Sequence, residues 1–294
     1  MKIEKDMTHG GYLLKLAQFC EIAYEDEVTC KTMILNKGYE DCTIIESKEK
    51  GSFGFICEDI SNKKHCMYIT IRGSDSKGPN KSIVEMKKDW ALNKKCGLAG
   101  LKTDVFGTLW VHEGFKESAD SLSQQVMRNI QAVNPERIIF NGHSLGAATA
   151  KLLSLMFMYT PGAEVAQYGF GEPRSLGHSS KKFINDIFGD SLFSPCHRIW
   201  NNNDFVVRIP MRVMGYSHYG KPYLLTEEHE LIYDPSLWTI FTDKASGIIK
   251  DIFEKGLDGE KDHYIENYIA ALKTIAEREQ DVFGKNNFSI PEGN

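Results

Sequence analysis

Ile138-Ile139-Phe140-Asn141-Gly142-His143-Ser144-Leu145-Gly146-Ala147-Ala148-Thr149-Ala150 joins a short apolar run to Gly-x-Ser-x-Gly and then to a run of small residues. That order predicts a strand, a sharp turn and a helix. A serine held at such a turn needs glycine two residues before and after it, because a side chain at either place collides with neighbouring backbone. The bend exposes Ser144 Oγ. It also puts the N–H of Leu145 at a helix N-terminus, where orphan donors and the macrodipole favour a negatively charged oxygen. The bare pattern arises by chance in a chain of this length on the order of one time in ten. Context raises it: Arg137 to Phe140 reads as a buried strand, and Leu145 to Tyr159 as a helix with Leu145, Ala148, Leu152, Leu155 and Met156 on its apolar face.

Around this stretch, 294 residues with 41% apolar and 26% charged content are enough for one large α/β core. No linker divides the chain. Residues 1–282 read as a single domain and the polar residues 283–294, with Gly and Pro, as a frayed tail. A net charge of -5 argues against a nucleic-acid binder. No cleavable export signal and no membrane-spanning run is visible, so the expected compartment is the cytoplasm, or the outside by a route without a cleavable signal. The seven cysteines form no C-x-x-C and cannot all pair, so reduced thiols are expected; Cys57 and Cys66 are the candidate pair for facing each other across a hairpin.

Working outward, Tyr12 to Tyr24 has helical apolar spacing and reads as a covering helix. Strands around Phe53 to Glu58 and His65 to Arg72 follow, joined by a polar turn. The second ends in Ile71-Arg72-Gly73-Ser74-Asp75, and Ser74 is the candidate for a second oxyanion donor. Locally, an ordinary strand-to-loop turn is the simpler account. Residues 76 to 95 hold six lysines against Glu85 and Asp89, with a capping box at Ser82 and Glu85 and with Ile83, Met86 and Trp90 on one helical face. Two readings fit equally: a lid with an apolar underside that touches lipid, and a surface helix packed on the core.

After the nucleophile stretch come a strand, Glu164 to Phe170, a helix, Lys181 to Phe188, and a strand, His197 to Asn202. Asp204 lies where that last strand gives way to loop, a suitable place for a carboxylate that orients a histidine. His112 precedes Ser144, whereas in hydrolases with this elbow the partners follow in the order serine, acid, histidine. His143 points elsewhere because the elbow is sharp. His218 and His263 both follow Asp204, and chain order admits either. Apolar residues between them, from Trp238 to Phe253, suit an acyl pocket or plain core packing.

Taken together, these residues resemble the class 3 (fungal-type) lipase family of α/β-hydrolases. Arg72-Gly73-Ser74-Asp75-Ser76 is similar to the family's oxyanion loop, Asp89-Trp90 with Asn93 to its Asp-Trp segment, and Val111 to Phe115 to the stretch after its lid. Gly142 to Ala148 matches the elbow, Phe170 to Arg174 with Gly177 its Gly-Ala-Pro-Arg motif, and Asn201 to Pro210 its acid loop. Asp262-His263 with Tyr268 is like the late Asp-His motif of bacterial members. The resemblance implies a mostly parallel sheet flanked by helices and makes His263 the base, because the family's Gly-Tyr-Ser-His stretch is structural. It further implies a Ser144–His263–Asp204 triad acting on lipid esters through an acyl-enzyme, with oxyanion donors at Ser74 and Leu145, and no metal or cofactor. Expected partners are a lipid or small ester and a transient lipid interface. A phospholipase A1, a short-chain esterase and a catalytically silent lipase-like binding protein are the alternatives. Three departures stand out: Ala147 for glycine, Glu172 for alanine, and Asn141 for a small or β-branched residue.

Overall fold

The computed structural model describes residues 7–60, 64–74, 97–188, 194–233 and 262–285. The expected lid segment with Ile83, Met86 and Trp90, the acyl-pocket segment from Trp238 to Phe253, and Cys96 lie outside these residues.

Strand β6 (Arg137–His143) forms the middle of an eight-stranded sheet. Its neighbours are β3 (Cys66–Ile71) and β7 (Glu164–Phe170), and beyond β7 lie β9 (Cys196–Asn201) and β11 (Lys221–Leu225). These five run parallel. Antiparallel β2 (Ser52–Asp59) and β1 (Cys42–Ser47) extend one edge, and β12 (Leu231–Tyr233) the other. Register pairs Cys57 with Tyr68 and Cys66 with Asp59, so the two cysteines are not opposite one another. All six described cysteines are free and buried. A smaller antiparallel sheet contains β4 (Leu98–Thr103), β5 (Gly107–His112), β8 (Leu176–Gly177) and β10 (Tyr216–Ser217).

Alternation along β6 sends its side chains to two cores. Ile139 joins a layer with Leu13, Leu16 and Phe19 of α1 (His9–Ile22) and Leu272 and Ile275 of α6 (Ile265–Lys285). Ile138 and Phe140 face Leu122, Val126 and Ile130 of α3 (Glu113–Val133) and Leu152 and Leu155 of α4 (Leu145–Met156). Each fully buried aliphatic chain here is worth roughly 1.5–3 kcal/mol. Helix α2 (Glu27–Asn36) covers one edge, and α5 (His178–Phe188) packs beside the small sheet. Helix α6 is described through Lys285, three residues past the expected boundary at 282.

Asn141 explains its own departure. Its side chain is fully buried, accepts from Thr70 Oγ1 at 2.8 Å and donates to the Leu16 carbonyl at 3.0 Å and to Cys20 Sγ at 3.3 Å. One amide thereby ties β6 to β3 and to α1, which a small apolar residue cannot do.

The parallel strands place the chemistry-bearing loops together. Arg72 to Ser74 follow β3, Ser144 follows β6, Gly171 to Arg174 follow β7, and Asp204 follows β9, all at the carboxyl edge of one sheet.

Candidate active site

Ser144 sits between β6 and α4 at φ 59° and ψ -129°, a strained conformation for a residue with a side chain. The two elbow glycines are required by close approach. A Cβ on Gly142 would lie 2.5 Å from the Gly146 carbonyl group, and one on Gly146 would lie 2.2 Å from the Ile71 carbonyl oxygen. Both separations are too short for real atoms, so the elbow closes onto its own backbone and onto the end of β3.

Three side chains that are far apart in sequence form one hydrogen-bonded row. Ser144 Oγ is 2.8 Å from His263 Nε2, and His263 Nδ1 is 2.8 Å from Asp204 Oδ2. All three residues are buried. A carboxylate can only accept, so Nδ1 carries the hydrogen and Nε2 is left with a lone pair toward the serine hydroxyl. Burial alone raises the Asp204 carboxyl, but the attraction and hydrogen bond of His263, the Tyr268 hydroxyl and the Val206 N–H outweigh it and hold Asp204 below the ordinary aspartate range. The acid is therefore a carboxylate near neutral pH.

The loop ends close in around this row. A Cβ on Gly73 would be 3.2 Å from Ser144 Cβ, so the segment leading into Ser74 passes directly against Ser144. Leu145 begins α4, and its N–H is among the first four that have no partner within the helix. Gly171, at φ +58°, lies against Asp204 and His263: a Cβ there would be 2.8 Å from Asp204 Oδ2 and 3.0 Å from the His263 ring. Behind it, Glu172 forms a buried ion pair with Lys151 of α4 at 2.9 Å, and Lys151 also donates to the Tyr219 carbonyl at 2.8 Å. The departure at Glu172 thus has its counter-charge on α4, and a Cβ on Gly169 nearby would be 3.2 Å from the Ala147 methyl.

The competing histidines have other partners. His218 donates from Nε2 to the Val207 carbonyl at 2.6 Å, and burial keeps it neutral. His112 stacks on Phe115 with centroids 4.2 Å apart. Sequence reasoning assigned no role to Tyr268, whose hydroxyl donates to Asp204 Oδ2 at 2.6 Å and accepts from the Asn201 N–H at 3.2 Å. Its signal was its place in the late Asp-His motif, where it was quoted without a role. Tyr24 was likewise read only as the end of a covering helix. Among the described residues no cluster of His, Cys, Asp or Glu is arranged to hold a metal ion, and no helix is long and apolar enough to cross a membrane.

Comparison with known proteins agrees with this architecture. The secreted mono- and diacylglycerol lipase MDL2 of Malassezia globosa is 32% identical over 107 residues, which is 36% of this chain and 34% of that protein. The secreted mono- and diacylglycerol lipase 1 of Fusarium solani is 28% identical over 180 residues, 60% of this chain and 48% of that protein. The chain thus spans between a third and a half of the length of these relatives. Among solved structures, the mono- and diacylglycerol lipase from Aspergillus oryzae superposes with a TM-score of 0.58 at 19% identity, over 77% of this chain and 86% of that one. The fold is that of an α/β-hydrolase, with a mostly parallel sheet between helical layers. The profile of the lipase (class 3) family matches residues 68–214, from β3 through the elbow and the acid loop, and the chain belongs to that family.

Proposed function

We propose that this protein hydrolyses carboxylic esters of acylglycerols or related lipids through an acyl-enzyme. The observation that carries the reading is the buried Ser144–His263–Asp204 row, with both hydrogen bonds at 2.8 Å, beneath an elbow whose backbone is strained at the serine. His263 Nε2 takes the proton of Ser144 Oγ as that oxygen bonds to the ester carbonyl carbon. The tetrahedral oxygen is stabilised by the N–H groups of Leu145 and Ser74. His263 returns the proton to the leaving alkoxide, the alcohol departs, and a water molecule deprotonated by His263 then releases the fatty acid and regenerates Ser144. Asp204 holds the imidazole in the required tautomer and stabilises the imidazolium.

The two named lipases act, by their names, on mono- and diacylglycerols. We take partial acylglycerols as the first substrates to try, and residues 1–282 as the hydrolase domain. Compartment has support on both sides. The relatives are named as secreted, whereas the six described cysteines are unpaired and buried, as in a reducing setting.

The test is fatty-acid release from mono-, di- and triacylglycerols, from phosphatidylcholine and phosphatidylglycerol, and from a series of p-nitrophenyl esters. Turnover on acylglycerols is the expected result. Turnover confined to phospholipids reassigns the enzyme as a phospholipase, and inertness on every ester removes the hydrolase reading.

A further inference from the structure

The residue before the nucleophile is itself connected to the base. The His143 ring lies 4.7 Å from the His263 ring, tilted by 32°, and its Nε2 is 2.7 Å from the backbone oxygen of His263. A carbonyl oxygen only accepts, so His143 Nε2 carries a hydrogen. In a neutral imidazole the other nitrogen is then an acceptor. That nitrogen, Nδ1, is 2.8 Å from Tyr24 Oη, so the phenol donates to it. A Cβ on Gly73 would be only 2.1 Å from Tyr24 Oη, so the oxyanion loop approaches the phenol as closely as glycine allows. The directions of the two bonds, from Tyr24 to His143 and from His143 to His263, follow from the carbonyl at the end, and Gly73 packs on the phenol oxygen.

We propose that Tyr24 and His143 are positioning residues that lock the backbone of His263 to the Gly73–Ser74 loop, so that base and oxyanion donors keep one alignment over Ser144. The inference rests on the triad reading above. His263 lies just ahead of α6, and its neighbour Asp262 is held through its own carbonyl by Asn201 Nδ2 at 2.8 Å. The His143 bond anchors the backbone of His263 itself and leads, through Tyr24, to the oxyanion loop. Tyr24 comes from the end of α1, so this helix, otherwise a cover for the sheet, also takes part in building the site. Proton transfer needs the base within about 2.6–3.2 Å of the hydroxyl, and a misplacement of about 1 Å costs on the order of a hundredfold in rate.

The experiment uses the full chain, p-nitrophenyl butyrate turnover, a fluorophosphonate as a covalent titrant of Ser144, and thermal melts. Tyr24→Phe removes one oxygen from the relay. His143→Leu removes the ring's donor and acceptor, whereas His143→Gln offers an N–H to the His263 carbonyl and an oxygen to the phenol. The expected result is a kcat lower by about tenfold or more for Tyr24→Phe and His143→Leu with KM within about twofold, the mark of lost transition-state alignment. The double variant is no worse than the poorer single one, and His143→Gln recovers most of the rate. A Tyr24→Phe protein with wild-type kcat overturns the proposal. So does a His143→Gln protein as impaired as His143→Leu, which would make the ring a packing element. In both cases an active, fluorophosphonate-labelled wild type leaves the hydrolase reading intact. A wild type that neither turns over ester nor takes the label removes both.

Discussion

Tyr268 donates to the same Asp204 oxygen that accepts from His263 Nδ1, at 2.6 Å from Oη to Oδ2. Asp204 Oδ1 meanwhile accepts from the Val206 N–H at 2.8 Å. A fully buried carboxylate remains ionised there because three donors share its charge. Tyr268→Phe removes one of them, a hydrogen bond to a charged group worth about 1.5–3 kcal/mol. Because the folded value of Asp204 lies below the reference 3.8, its contribution to stability is present above that pH and is lost as pH falls through the folded value. Tyr268→Phe moves that loss to higher pH. Urea unfolding of both proteins between pH 3 and 6 should show the variant weakening first as acid is added; parallel curves would contradict this.

Lys151 and Glu172 give a prediction in which the pair matters more than either charge. Their side chains are 0% and 2% exposed, so removing one partner strands a charge in the interior. Lys151→Met or Glu172→Gln alone should cost about 3–5 kcal/mol, whereas Lys151→Met with Glu172→Leu should recover most of that, since apolar replacements of buried pairs are often neutral. Denaturant melts of the three variants measure the coupling. Additive losses would mean that the two groups act independently.

Three buried histidines set the acid sensitivity of the fold. Burial lowers His112 from 6.5 to about 4 and His197 to about 3, and holds His218 well below its ordinary value. Neutral in the folded chain and protonated in the unfolded one below pH 6.5, each contributes stability that is complete above that pH and lost as pH falls toward its folded value. The slope is about 1.4 kcal/mol per pH unit for each group. Neither ring nitrogen of His112 has a hydrogen-bond partner among the described residues, and the ring stacks on Phe115, so His112→Phe should fit the site. Unfolding free energies at pH 6.5 and 5 should differ by less in this variant than in the wild type. An unchanged difference would rule out His112 as a contributor.

The elbow glycines should tolerate no side chain. Gly146→Ala places a methyl 2.2 Å from the Ile71 carbonyl oxygen and 2.6 Å from Arg72 backbone, and neither β3 nor α4 can move without opening the core. Loss of soluble folded protein is the expected result. A variant with a wild-type melting temperature would show that the close approach is not needed.

How far the sequence was legible follows the strength of local patterns. Strand β6 and helix α4 were readable because an apolar run, two glycines and a helical stripe coincide within thirteen residues. The β4–β5 hairpin was not: β4 buries only Leu101, and the alternation in β5 is confined to the four residues Thr108 to Val111. Helix α2 escaped because only Cys30 and Ile34 of its ten residues are buried, although Asp26 caps it by accepting from the N–H groups of Val28 and Thr29. At the site, chain order led to Asp204 but left His218 and His263 open. The family resemblance pointed to His263, and the physical distinction is the Val207 carbonyl that occupies His218 while His263 Nε2 meets Ser144 Oγ, contacts no spacing rule contains. The relay through Tyr24 and His143 lay out of reach for the same reason: it joins residues 119 positions apart.

The measurement that tests the account most directly is ester turnover and fluorophosphonate labelling of wild type and Ser144→Ala, read by product release and intact-protein mass. The account predicts an active wild type carrying one adduct on Ser144, and a variant with no adduct and turnover lower on the order of a million-fold. A Ser144→Ala protein that still turns over ester at the wild-type rate, or a folded wild type that does neither, would contradict it.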